Sequence, residues 1–198
     1  MIKWILLDRG NVQTYWVFSR KKEYTINNKT FLADDLEAIF HSPDYKKFVL
    51  GELEEKEIIS NFLKDKNFNL TVEEYISLLK AGINAQEGIN EILEALFKKY
   101  KLAALINEGT AWANYKLDIP NFRKFFKFIL ISGEIGIKKP DPDFFNIALK
   151  EIKAKPEECL FIGDDLKNID IAKSLGINSI LFTTPKKLKI DLAKESIL

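Results

Sequence analysis

The chain has 198 residues, a net charge of +1, 46% apolar and 30% charged residues, a single His and a single Cys. That length suits one domain with a smaller insertion and buries a sizeable core, while the balanced charge offers no broad attraction to a nucleic-acid backbone or an anionic membrane. One Cys (Cys159) forbids an internal disulfide or a Cys-rich metal site, and one His (His41) forbids every site needing two, so the chemistry expected of an enzyme here runs on carboxylates, lysines, hydroxyls or an oxygen-held metal.

The first apolar run, Ile2–Leu7, reads as a strand. It lacks the length and cleavage site of a signal peptide, and no stretch approaches the ~18 apolar residues of a membrane span; the expected setting is the cytoplasm. Residues 13–86 then intervene before the next run, far more than the dozen or so that a simple crossover needs. Within them Val12–Phe31 is rich in aromatic residues and Thr, with a hairpin turn predicted at Ile26-Asn27-Asn28-Lys29. Trp16, Phe18 and Tyr24 are read as packing residues there, and His41 as a surface or structural histidine. Helices are predicted over Asp34–Phe40, Pro43–Leu50, Leu53–Lys64 and Thr71–Lys80.

Ile89, Ile92, Leu93, Leu96 and Phe97 repeat at helical spacing before the second run, Leu102–Ile106. Phe128–Ile131 is the third run. A helix carrying Phe144, Phe145, Ala148, Leu149 and Ile152 precedes the fourth, Cys159–Ile162, where Cys159 reads as a small core residue. Leu166, Ile169, Ala172 and Leu175 form the next helical stripe, with Gly176 at its C-cap, before the fifth run, Ser179–Phe182. A terminal helix is predicted over Pro185–Leu198. Near-continuous apolar runs alternating with helices predict a doubly wound α/β fold with a mainly parallel five-stranded sheet. Residues 1–12 and 87–198 would form the core domain, and 13–86 an inserted hairpin and small helical domain.

Ligands in such sheets bind at the carboxyl ends of the strands. The polar residues just beyond each run are therefore informative. They are Asp8-Arg9-Gly10-Asn11, Asn107-Glu108-Gly109-Thr110, the Lys138-Lys139-Pro140-Asp141-Pro142-Asp143 loop, and Gly163-Asp164-Asp165 followed by Asn168. Carboxylates gathered at one edge repel unless a cation joins them, and oxygen ligands in this number suit Mg²⁺, which also binds phosphate oxygens. The chemistry that follows is phosphoryl transfer at Asp8. Asp141 before Pro142 is ordinary helix initiation, Lys138 is the bystander of its pair, and Asp165 reads equally as a site residue or a helix-start carboxylate.

These residues resemble the motifs of haloacid dehalogenase-like (HAD) hydrolases. The four elements are Asp8-Arg9-Gly10-Asn11-Val12, Leu105-Ile106-Asn107, Gly136-Ile137-Lys138-Lys139-Pro140 and Gly163-Asp164-Asp165-Leu166-Lys167-Asn168, in family order over nearly the whole chain. The resemblance implies a Rossmann-like core with residues 13–86 as a flap hairpin and helical cap. It further implies an Asp8 nucleophile that forms an aspartyl-phosphate, and Mg²⁺ held by Asp8, the Gly10 carbonyl and Asp164. Phosphate contacts would come from Lys139 and the Asn107 backbone, with support from Asp165 and Asn168. The Asp8-Arg9-Gly10-Asn11-Val12 form and Gly51-Glu52-Leu53 resemble a subgroup containing sugar-1-phosphate phosphatases and the phosphatase domain of soluble epoxide hydrolases.

Two positions depart from the common pattern. Gly10 stands where most of the family's phosphatases carry an acid/base Asp, although the subgroup also carries Gly there. Ile106 replaces a Ser or Thr whose hydroxyl bonds the phosphoryl group, and Glu108 adds negative charge nearby. The leading expectation is a Mg²⁺-dependent phosphatase of a small phosphorylated metabolite, with sugar phosphates among the candidates. The alternative is a catalytically weak or inactive relative that binds a ligand or partner. A metal-free dehalogenase and a phosphomutase rank below both. The sequence leaves the substrate and the oligomeric state open.

Overall fold

The computed structural model describes residues 1–15 and 17–198, so Trp16 lies outside the described residues. β1 (Trp4–Asp8) leads into a hairpin of β2 (Glu23–Ile26) and β3 (Lys29–Leu32). Asn27 and Asn28 both take positive φ, 48° and 62°, which a two-residue hairpin loop of matching twist requires. The helices α1 (Ala33–Glu37), α2 (Pro43–Val49), α3 (Glu55–Asp65) and α4 (Val72–Gly82) follow. The segment predicted as one helix over Asp34–Phe40 is split, with a 3-10 turn at Ala38–His41. Beyond it come α5 (Ile89–Lys99), β4 (Lys101–Ile106), α6 (Thr110–Asp118), β5 (Phe126–Ile131), α7 (Ser132–Ile135), α8 (Pro142–Ile152), β6 (Cys159–Gly163), α9 (Leu166–Ser174), β7 (Asn178–Leu181) and α10 (Pro185–Lys194).

The five long-range strands pair in the order β5–β4–β1–β6–β7, every pairing parallel. All residues of β1 and β6 are buried, so both faces demand apolar side chains and the strands read as continuous runs. Ile5 and Leu7 pack with Ile92, Leu93 and Leu96 of α5 and Leu188 and Leu192 of α10. Trp4 and Leu6 pack on the opposite face with Phe144 and Phe145 of α8 and Ile169 of α9. The chain steps from β1 outward to β4 and β5, then returns to the other side of β1 for β6 and β7. The reversal between β1 and β6 opens a crevice at their carboxyl ends.

Residues between β1 and α5 build their own apolar cluster, from Val17 to Ile83, which Trp112 of α6 joins and against which Ala111 and Tyr115 of α6 also pack. Phe18 and Tyr24 belong to it, with ring centroids 5.0 Å apart. The α6 helix has no counterpart among the predicted elements. Trp112 faces this cluster while Ala113 and Leu117 face the sheet. Apolar residues on two faces leave no single stripe to read. His41 is exposed, and burial pushes the Cys159 thiol up to about 12, keeping it neutral. Among the described residues, no helix is long and apolar enough to cross a membrane.

Candidate active site

Asp8 ends β1 in the crevice, only 7% exposed. Lys139 Nζ lies 2.6 Å from Asp8 Oδ1 and donates to the Leu105 carbonyl at 2.6 Å. The loop bearing Lys139 is held by a reciprocal amide pair: the Lys139 N–H donates to Asn107 Oδ1 at 2.9 Å, and Asn107 Nδ2 donates to the Lys139 carbonyl at 2.8 Å. Asn107, expected to contact phosphate through its backbone, thus has a side chain that positions Lys139. The Asp8 carboxylate also accepts from the Arg9 N–H at 2.7 Å and from Asn168 Nδ2 at 3.3 Å.

Asp165 caps α9, accepting from the Lys167 N–H at 2.7 Å, and it also lines the cavity at the strand ends; the same helix presents Asn168. Asp164 precedes that cap and accepts from Asn11 Nδ2 at 3.1 Å. Asp141 caps α8 with Pro142 in its first turn, as expected.

Arg9 is fully buried. Its Nη1 donates to Gln13 Oε1 at 2.7 Å, Gln13 Nε2 donates to the Asp8 carbonyl at 3.0 Å, and the guanidinium lies over the Phe122 ring at 5.1 Å. Burial pushes Arg9 down to about 9, with the Asp118 charge opposing. This chain of contacts braces the backbone that carries Asp8.

Burial lowers the Lys139 pKa, and the adjacent Asp8 carboxylate opposes that shift. Burial, then the Asp8 charge, raises the Asp164 carboxyl above its ordinary value. Two carboxylates facing one cavity are in the arrangement a divalent cation relieves. Among the described residues no cluster of three His, Cys, Asp or Glu could hold a metal. Asp8 and Asp164 line the cavity as oxygen donors, and the resemblance adds the Gly10 carbonyl, which accepts from the Val12 N–H at 2.5 Å, with remaining positions left to water. Asn168 Oδ1 is buried without a partner, an acceptor free for such a water. That donor set fits Mg²⁺, which binds few protein ligands and keeps several waters.

The cavity at this point holds about 200 Å³ and is lined by Asp8, Gly10, Asn11, Ile106, Asn107, Asp164, Asp165 and Asn168 together with Tyr15, Tyr45, Glu108 and Lys116, among others. Ile106 presents no donor there. A Cβ added to Gly10 would meet no atom within 4 Å. Glu108 is not a bare charge: Lys116 Nζ lies 2.5 Å from its Oε2, the Tyr45 hydroxyl donates to it at 3.3 Å, and the Gly109 N–H donates to Oε1 at 3.1 Å. Tyr45 on α2 and Lys116 on α6 carried no sequence signal, since neither lies at a strand end. A larger groove of about 450 Å³, between His41 and Lys66, contains none of the strand-end residues.

The haloacid dehalogenase-like hydrolase family matches residues 22–182. The chain belongs to that family. Asp8 precedes the matched span and enters the site through the pairing of β1 with β4 and β6. This HAD-like hydrolase is 33% identical to a glyceraldehyde 3-phosphate phosphatase of Pyrococcus furiosus over 53% of its own length and 45% of the relative's. It is 27% identical to a drimenol cyclase of Aspergillus calidoustus over 92% of its own length and 34% of the relative's. The chain thus spans less than half the length of these two relatives. In fold it is similar to a HAD family enzyme from Bacteroides thetaiotaomicron solved with magnesium and inorganic phosphate, with a TM-score of 0.72 and 18% identity over 93% of this chain and 96% of that one.

Proposed function

We propose that this HAD-like hydrolase is a Mg²⁺-dependent phosphatase of a small phosphorylated metabolite, with Asp8 as nucleophile and residues 13–86 as a cap over the site. The observation that carries the reading is the buried Asp8–Lys139 pair, 2.6 Å apart, at the strand-order reversal beside Asp164. The phosphatase relative and the fold shared with a magnesium- and phosphate-bound enzyme support it.

In the proposed reaction an Asp8 carboxylate oxygen attacks phosphorus, the bond to the leaving oxygen breaks, and that oxygen takes a proton from water. A second water then attacks phosphorus, releasing inorganic phosphate and restoring Asp8. Lys139 pairs with Asp8 and draws the phosphoryl oxygens toward it, and the Asn107 N–H is available to one of those oxygens. Asn168 orients Asp8, and Asn11 orients Asp164. Mg²⁺ would be held by Asp8, Asp164 and the Gly10 carbonyl, and when bound would supply the charge that offsets repulsion between carboxylate and phosphate. The test is phosphate release from p-nitrophenyl phosphate and a panel of sugar and triose phosphates, with Mg²⁺ and with a chelator. No release by the folded protein would favour the ligand-binding alternative.

Two further outcomes are expected. Gly10→Asp places a carboxylate in open space where an acid/base would protonate the leaving oxygen. It should raise kcat toward alkyl phosphates on the order of 100-fold while changing aryl phosphate turnover little; steady-state kinetics on both classes checks this. Mg²⁺ at a hundredfold excess over its Kd should stabilise the protein by about 2.7 kcal/mol, a rise in Tm of roughly 5–10 °C for a chain of this size. Asp164→Asn removes a like charge from beside Asp8, so its metal-free form should melt no lower than wild type, yet show little Mg²⁺ shift in the same thermal melts.

A further inference from the structure

A carboxylate in the wall of a cavity that receives a phosphate dianion is unfavourable unless matched. Glu108 is matched on the spot. Its side chain is 2% exposed and Lys116 Nζ lies 2.5 Å away. The Tyr45 hydroxyl completes the group, kept protonated because burial, and then the Glu108 charge, push its pKa well up. The three side chains come from the cap helix α2, the loop after β4 and the core helix α6, and all line the cavity that ends at Asp8 and Asp164.

The charges in that wall limit what can bind. Among the described residues lining the cavity, the cations are Arg9 and Lys116. Arg9 is buried against Gln13 and Phe122, and Lys116 is paired with Glu108. Lys139 is committed to Asp8 and the Leu105 carbonyl. Among the described lining residues no accessible, unpaired cation remains to receive a second anionic group, because the unpartnered Nε and Nη2 of Arg9 are buried, and Glu108 would repel one. Hydroxyls, by contrast, meet both kinds of partner. An ammonium carries three N–H donors and a carboxylate about four acceptor positions, and the contacts with Tyr45, Gly109 and each other do not exhaust them. At about 200 Å³ the cavity lies below the roughly 300–1,000 Å³ of clefts that bury drug-sized ligands, so the leaving group has only a few carbons.

We propose that Tyr45, Glu108 and Lys116 form a charge filter selecting phosphate monoesters whose leaving group is a small, uncharged polyol, over those whose leaving group bears a carboxylate or a second phosphate. This rests on the phosphatase reading above.

The experiment measures kcat and KM with Mg²⁺ for p-nitrophenyl phosphate, glycerol 1-phosphate and 2-phosphoglycolate, on wild type, Glu108→Gln and Lys116→Met, each checked for folding by thermal melt. Wild type should favour glycerol phosphate over phosphoglycolate. Glu108→Gln keeps the shape and frees Lys116 as a cation, so the preference should move toward phosphoglycolate by about tenfold or more, mainly through KM. Lys116→Met leaves Glu108 unmatched and should move it the other way by a similar factor. If one variant does not fold, the sign of the other decides. Equal losses on all three substrates would mean that the group only braces cap to core, and would overturn the filter. Turnover of p-nitrophenyl phosphate with no preference between the other two would overturn the filter alone. No turnover of any ester would overturn the phosphatase reading and the filter with it.

Discussion

Asp8→Asn is expected to lower kcat for phosphate release by on the order of 10⁴–10⁶-fold, the scale seen when a nucleophile is removed from an enzyme that works through a covalent intermediate. The amide has nearly the shape of the carboxylate and can still accept from the Arg9 N–H, now 2.7 Å from Oδ1, so the loop need not move. What it lacks is the negative charge and the nucleophilic oxygen. Lys139, only 2% exposed, loses the anion beside it. Breaking a buried pair by removing one partner is costly because the other charge stays behind, so the variant should also melt lower than wild type. Rapid quenching with labelled substrate separates the two effects: wild type should carry label bound to protein in the first turnover, and the variant none. Turnover that survives the substitution would remove Asp8 from the mechanism.

Trp112→Ala is expected to be the most destabilising truncation where α6 meets the apolar cluster of residues 17–83, the proposed cap. Trp112 is fully buried, with ring centroids 4.5 Å from Phe48, 5.6 Å from Phe40 and 6.1 Å from Tyr45. Its Nε1 donates to Glu55 Oε1 at 3.0 Å. All four partners belong to the inserted segment, while Trp112 belongs to the core helix α6. Removing a buried Trp side chain costs about 3–5 kcal/mol, or roughly 6–20 °C in Tm for a chain of this size. Trp112→Phe keeps a ring and loses the hydrogen bond, for about 1 kcal/mol. Because Tyr45 both stacks on Trp112 and lines the cavity, the Ala variant should raise KM more than it lowers kcat. Thermal melts and steady-state kinetics on the same preparations check both expectations. A loss of stability without a change in KM would mean that the cap holds its place without this anchor.

The α/β class, the five strands and most of the helices were legible in the sequence because their signals are local. A strand buried on both faces must be apolar along its length, as Trp4–Leu7 and Leu160–Ile162 are. A hairpin loop needing positive φ at two positions takes Asn27-Asn28. The grouping of Asp8, Lys139, Asp164 and Asn168 was legible one step further out, since parallel strands deliver the residues that follow them to one edge. The count of one His and one Cys had already excluded disulfides, Cys-rich metal sites and sites needing two histidines.

The remaining features depend on what packs against what. The α6 helix escaped because its apolar residues serve two neighbours, the apolar cluster of residues 17–83 through Trp112 and the sheet through Leu117. Glu108 read as a charge opposed to phosphate, and only folding brings Lys116 and Tyr45 to it, the latter from 63 residues away. Asn107 read as a phosphate contact, and only the tertiary fold sets its side chain against the backbone of Lys139, 32 residues on. The sequence by itself determined the strands, their burial and the set of polar residues at their ends, because backbone periodicity and desolvation act on each segment separately. The tertiary structure decided which charges are matched, because Coulomb and hydrogen-bond partners are chosen by distance in space across segments that share no local pattern.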